Sequence, residues 1–136
     1  MNSPRRHFLA LSVAVALLPA CGKGGERCGT CGMKVDPASA FRATVASGSR
    51  LQPFDTNRCA LTALRAGGGK LTVQEFYSRA PVDGAAVRYV IGSDVLGPMG
   101  PDLIAVDPAK VDKFARDHGS ARALTLGEID DSALNP

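Results

Sequence analysis

Leu103-Ile104-Ala105-Val106-Asp107-Pro108-Ala109-Lys110-Val111-Asp112-Lys113-Phe114-Ala115-Arg116-Asp117-His118-Gly119 carries a strand and a helix with both helix ends marked. The apolar run Leu103 to Val106 reads as a strand. Asp107 is an N-cap, and Pro108 falls at the first helical position, where its missing N–H is no loss. Val111, Phe114 and Ala115 recur at helical spacing and predict the buried stripe, while Gly119 stands where a C-cap glycine belongs. Working outward, Val87 to Ile91 is a second strand, joined to the first by a long turn from Gly92 to Pro101. Ala121 to Leu126 then returns as a strand, which makes the unit ββαβ, and Glu128 to Pro136 is left as a polar tail.

The first half repeats the pattern. Phe41 to Ala46 alternates Phe41, Ala43 and Val45 against Arg42 and Thr44, then turns at Ser47-Gly48-Ser49 into Arg50 to Phe54, a hairpin signal. Asp55, Thr56 or Asn57 caps a helix with apolar positions Ala60, Leu61 and Leu64, and Gly67-Gly68-Gly69 stops it. Leu71 to Tyr77 reads as the returning strand. The expected fold is α+β, two tandem ββαβ units at residues 28–78 and 86–129, with 79–85 as linker and 130–136 as tail. The competing topology is one merged sheet with two helices on a face.

Residues 1–20 stand outside this fold. Arg5 and Arg6 precede an uncharged apolar run, Phe8 to Leu18, of 11 residues. A membrane-spanning helix needs about 20, so the run is expected to be the core of a cleaved export signal. Ser3-Pro4-Arg5-Arg6-His7-Phe8-Leu9 resembles a twin-arginine signal, though the two arginines also suit an ordinary basic leader. Leu18-Pro19-Ala20-Cys21 resembles a lipoprotein box, with Cys21 as the lipidated residue; cleavage after Ala20 by an ordinary signal peptidase is the alternative. Residues 21–27 would form a short tether. Gly22, in place of an Asp after Cys21, resembles the rule for outer-membrane sorting.

Removing residues 1–20 from the 136 leaves 116, enough for one compact domain or two very small ones. The formal charge of +3 falls to about +1 once Arg5 and Arg6 are gone, so nothing points to nucleic acid. There is no Trp, and the core must be built mainly of Val, Leu, Ala and Ile. Four cysteines less Cys21 leave Cys28, Cys31 and Cys59, which cannot all pair. In an oxidising envelope such an odd thiol pairs with another molecule, reacts, or binds metal.

Cys28-Gly29-Thr30-Cys31-Gly32-Met33 puts two thiols and a thioether within six residues, a set that favours a soft ion such as Cu(I). A structural disulfide between Cys28 and Cys31 is the rival reading. A thioredoxin-like role fits less well, because no helical periodicity follows the motif. Cys59 falls in the first turn of the first helix, where the dipole is expected to lower its pKa; it also suits a buried core position. Asp55 is expected to cap that helix, with a place behind a metal ligand as its other reading. Met99, in Gly97-Pro98-Met99-Gly100-Pro101, is expected at a loop tip as a thioether ligand, against the alternative of core filler. His118 reads as structural, its partial charge suiting a helix end.

Cys-x-x-Cys-Gly-Met at 28–33, the Phe54-Asp55 step, and Arg88-Tyr89-Val90-Ile91-Gly92-Ser93 through Gly97-Pro98-Met99-Gly100 to Phe114-Ala115-Arg116-Asp117-His118-Gly119 together resemble the NosL family. The likeness covers nearly the whole mature chain. It implies a lipoprotein on the periplasmic side of the envelope, not an enzyme, that binds one Cu(I). The family passes the ion, with an ABC-type membrane complex, to the copper sites of nitrous oxide reductase. It also implies a fold of two ββαβ units, related to part of the organomercurial lyases. By position, the family's methionine of the Gly-x-Met-Gly loop falls on Met99 and its Cys-Gly-Met on Cys31-Gly32-Met33; Cys59 matches no ligand of the pattern. The family's interior is often more aromatic than this one. Two other classes stay open: a thiol enzyme (disulfide exchanger or carbon–mercury lyase) and a structural adaptor of an envelope complex.

Overall fold

The structure is a computed structural model that describes residues 24–135. The expected signal segment with Arg5 and Arg6, the expected lipidation site Cys21 and the start of the expected tether lie outside the described residues.

The hairpin expected at the start of the first half is β1 (Ala43–Ser47) and β2 (Arg50–Phe54), antiparallel with Val45 opposite Gln52. Helix α1 (Asn57–Gly67) follows, capped by Thr56, whose side chain accepts from the Cys59 N–H. The glycine run ends it: Gly68 at φ 67 donates to the Leu64 carbonyl, and the chain returns as β3 (Lys70–Gln74) along β1. Alternation decides which side is buried. Ala43, Val45, Leu71 and Val73 turn inward against Ala60 and Leu61 of α1.

Beyond Gln74 the chain turns rather than continuing to Tyr77, and the expected linker holds a further strand. β4 (Pro81–Asp83) pairs with β3, so the first sheet runs β2-β1-β3-β4. Pro81 has no N–H to donate, and the edge of a sheet is where a proline is tolerated.

In the second half β5 (Arg88–Ile91) lies between β8 (Ile104–Val106) and β9 (Arg122–Leu124), the latter shorter than the sequence pattern. The turn between β5 and β8 contains its own hairpin, β6 (Leu96–Gly97) and β7 (Gly100–Pro101), with Pro98 and Met99 at the tip. Asp107 caps as expected, but Pro108–Lys110 forms a tight 3₁₀ turn before α2 (Val111–His118), which ends at Gly119 with φ 79. The fold is thus tandem ββαβ, α+β in class, with two separate main sheets rather than one merged sheet.

The second sheet is covered on both faces, which explains why its strands read as nearly continuous apolar runs. Tyr89 and Ala105 join the core of the first half; Val90, Ile104 and Val106 face Phe114 of α2. The tail is not loose either: α3 (Asp131–Leu134) buries Ala133 and Leu134 in the first core, and Arg65 of α1 donates to the Ile129 carbonyl at 2.7 Å.

Candidate metal centre

Residues 28–33 form a closed turn. Arg27 bridges to Lys34, the Cys28 N–H donates to the Met33 carbonyl at 2.8 Å, and the Gly32 N–H donates to the Cys28 carbonyl at 3.0 Å. Gly32 at φ 75 supplies the left-handed residue that the reversal requires. The turn is docked on β2, where the Gly29 N–H donates to the Pro53 carbonyl at 3.0 Å. A side chain at Gly29 would put its Cβ 2.1 Å from the Gln52 amide nitrogen. Thr30 reaches across to α1 and donates its hydroxyl to the Cys59 carbonyl at 2.9 Å.

This docking brings the two cysteine segments to one point. One ligand atom each from Cys28, Cys31, Asp55 and Cys59 lies within 4.8 Å of every other. Cys28, Asp55 and Cys59 are buried and Cys31 is partly exposed, so the group opens to solvent on one side. The Cys31 thiol donates to the Asp55 carboxylate, with Sγ 3.4 Å from both oxygens. Asp55 therefore belongs to the thiol cluster, and the cap expected of it is made by Thr56 instead. All three described cysteines are free.

The expectation that the helix dipole lowers the Cys59 pKa is corrected. Burial pushes the Cys59 thiol well up, and the neighbouring Cys28 and Cys31 add to the rise against the hydrogen bond from Thr56. The N–H groups of Asn57 and Arg58 are already taken by the carboxylate of Asp102, so little of the helix's positive end remains for a thiolate. Cys31 is raised as well, chiefly by burial; the Met33 N–H pulls the other way. At neutral pH both thiols are protonated until a metal displaces the proton.

The two thioethers are exposed where the thiols of Cys28 and Cys59 are buried. Met33 is 43% exposed and Met99 55%, against 4% and 6% for Cys28 and Cys59. Met99 is thus no core filler. Met99 and Cys59 line one cleft of about 90 Å³ together with Thr56 and Asp102. His118 stands apart, its Nδ1 3.0 Å from an oxygen of Asp94 and its ring against Phe76 and Phe114, a structural placement. Asp102 escaped the sequence reading, because nothing local marks a residue that serves a helix 45 positions earlier.

Fold and site together define a small mixed helix-and-sheet protein with a cluster of three thiols and a carboxylate suited to holding a metal ion. The chain belongs to the NosL family, whose sequence model matches residues 20–134. Among solved structures it is similar to the crystal structure of the copper chaperone NosL from Shewanella denitrificans, with a TM-score of 0.68 at 14% identity. The alignment covers 95% of this chain and 99% of that one, so the likeness is one of whole fold. No curated protein sequence matches the chain.

Proposed function

We propose that the protein is a Cu(I) chaperone of the cell envelope, an accessory protein rather than an enzyme, whose client is a cuproenzyme, nitrous oxide reductase. The observation that carries this reading is the convergence of Cys28, Cys31, Asp55 and Cys59 within 4.8 Å, with Met99 on the cleft beside Cys59. Thiolates and thioethers together select Cu(I) over harder ions, and a neutral thioether needs no deprotonation to bind. Cys28, Cys31, Met33, Cys59 and Met99 form the candidate ligand set. Five sulfurs exceed what one Cu(I) needs in a tetrahedral site, which leaves ligands free for exchange with a recipient. As Cu(I) enters, Cys31 gives up its proton beside an acceptor, the Asp55 carboxylate. The copper chaperone named among the similar structures makes this cargo the natural one for the fold.

The location follows from residues 1–27: export, lipid attachment at Cys21 and a short tether facing the periplasm from the outer membrane. A membrane ABC-type complex is the proposed partner in transfer. A specific contact also favours a second reading: Asp55 on the Cys31 thiol is the acid and thiol pair that a carbon–mercury lyase uses. Methane release from methylmercury tests it, and its absence retires it.

The main test is native mass spectrometry of the reduced mature protein with Cu(I) and a competing chelator. One Cu(I) per chain is expected, lost when Cys28, Cys31 and Cys59 are all changed to Ser. Retention by that triple variant would sink the ligand set. Cells lacking the protein should accumulate copper-poor nitrous oxide reductase; a fully loaded enzyme would remove it as the client. Cys21→Ser protein should leave the membrane fraction or remain as precursor.

A further inference from the structure

We propose that Asp102 is a positioning residue of the metal centre. Its buried carboxylate clamps the first turn of α1, which carries Cys59, to the hairpin that presents Met99. It thereby sets the span across which thiolate and thioether share one ion. This rests on the copper reading above.

Helix α1 has no acidic residue of its own in the first turn. Its leading N–H groups are served from the other half of the chain. The Asn57 N–H donates to Asp102 Oδ2 at 3.2 Å and the Arg58 N–H to Oδ1 at 3.1 Å. The Leu103 N–H donates to Oδ1 at 2.8 Å, which fixes the carboxylate's own rotamer. The Asn57 side chain donates to the Leu103 carbonyl and the Arg58 guanidinium to the Pro101 carbonyl, both at 2.8 Å. Residues 101–103 are therefore locked to residues 57 and 58 by side chain and backbone together.

The clamp joins the two segments that carry the sulfurs, and Cys59, Asp102 and Met99 line one cleft. On one side Cys59 follows Arg58 directly. On the other, Asp102 follows β7, whose Gly100 is paired with Gly97 across the tip that holds Met99. The hairpin also rests against Asp102: a Cβ on Gly97 would lie 3.2 Å from the Asp102 Cβ. Met99 itself is more than half exposed on the cleft it lines with Cys59 and Asp102, so the direction of its thioether depends on where the hairpin is anchored. Thr56 caps the Cys59 N–H locally, but the two N–H groups ahead of it are served by Asp102 at the foot of the hairpin, so holding the helix end and anchoring the Met99 hairpin are one act.

The test is a double-mutant cycle in Cu(I) affinity, measured by chelator competition on the reduced protein, with Asp102→Ala, Met99→Ala and both together. Each single change should weaken binding about tenfold, and the double should be no weaker than either, because each removes the same sulfur from the ion. X-ray absorption of the Cu(I)-loaded Asp102→Ala protein should show the loss of one thioether sulfur with the thiolates retained. A purely structural cap predicts additive losses and an unchanged sulfur count, and either result overturns the proposal. Asp102→Asn keeps an oxygen for Arg58 and Leu103 and gives up the Asn57 contact. It serves in place of Asp102→Ala should that variant fail to fold, and its affinity should lie between wild type and Met99→Ala; wild-type affinity with a full sulfur set in Asp102→Asn overturns the proposal too. If Met99→Ala alone binds as wild type, the thioether is no ligand and positioning falls with it. If Met99→Ala weakens binding and Asp102 variants do not, only the positioning role fails.

Discussion

Met99 stands more than half exposed at a two-residue hairpin tip, so the fold has little to lose with its thioether. Met99→Ala should weaken Cu(I) binding while shifting apo-protein stability by no more than about 0.5 kcal/mol, as surface substitutions do. A packed methionine would instead cost about 2 to 5 kcal/mol, so urea unfolding beside chelator competition separates the two roles. The thiols lead to a pH dependence with a definite sign. Burial raises Cys31 and Cys59, so both carry protons at neutral pH and a metal must displace them. Apparent Cu(I) affinity should therefore rise with pH between about 6 and 8, by about tenfold per unit for each proton released. A flat profile, after correction for the chelator's own titration, would show that the metal displaces no proton from these thiols.

At the scale of elements, the return of the chain from α1 to β3 depends on how abruptly the helix stops. Gly69 has φ 118, and a Cβ there would meet the Ala46 carbonyl oxygen at 2.6 Å, so neither its backbone nor its surroundings admit a side chain. Gly69→Ala should cost about 1 to 3 kcal/mol in urea unfolding, the scale of such backbone strain. Gly67 meets no neighbour and has no positive φ, so Gly67→Ala serves as the control. Equal effects would mean that glycine's freedom in the unfolded chain, rather than the α1–β3 turn, decides the loss. The Cys28–Met33 turn shows the same economy, held by hydrogen bonds to β2 and α1.

For the whole molecule, the two halves are joined through a shared core and through Glu75. Its carboxylate is buried, accepts from the Ser78 and Asp107 N–H groups at 2.7 and 3.2 Å, and faces Lys110. Burial alone would raise its pKa, but these N–H groups outweigh it and hold the carboxyl below the usual glutamate range. A lowered folded pKa gives stability that is complete above the unfolded value and lost as pH falls through the folded one. Acidification through the glutamate range should thus destabilise the apo protein, and Glu75→Gln should flatten that dependence. The variant should also lose about 1.5 to 3 kcal/mol at neutral pH, the worth of a hydrogen bond to a charged group. Asp102, raised by burial, works in the opposite direction and does not add to the acid loss. An unchanged acid profile in Glu75→Gln would assign the titration elsewhere.

Local sequence determined what local physics can decide. The Asp107 cap, the Gly119 and Gly67-Gly68-Gly69 stops and the 41–54 hairpin each depend on neighbours a few residues away, and each was legible to within a few positions. The soft-ligand reading of Cys28, Cys31, Met33 and Met99 likewise rests on residue type and loop context alone. β4 and α3 were not legible: three residues around a proline and a four-residue helix carry no periodicity, and they form because a sheet edge and an apolar groove already exist to receive them. The site's closure was equally out of reach. Cys59 reads locally as a helix-end thiol primed by a dipole. Only the folded chain buries it beside Cys28 and Cys31, spends the helix's N–H groups on Asp102, and turns Asp55 from a cap into the thiols' companion. Those outcomes depend on contacts 24 to 45 residues apart, where burial and long-range hydrogen bonds override what any single segment prefers.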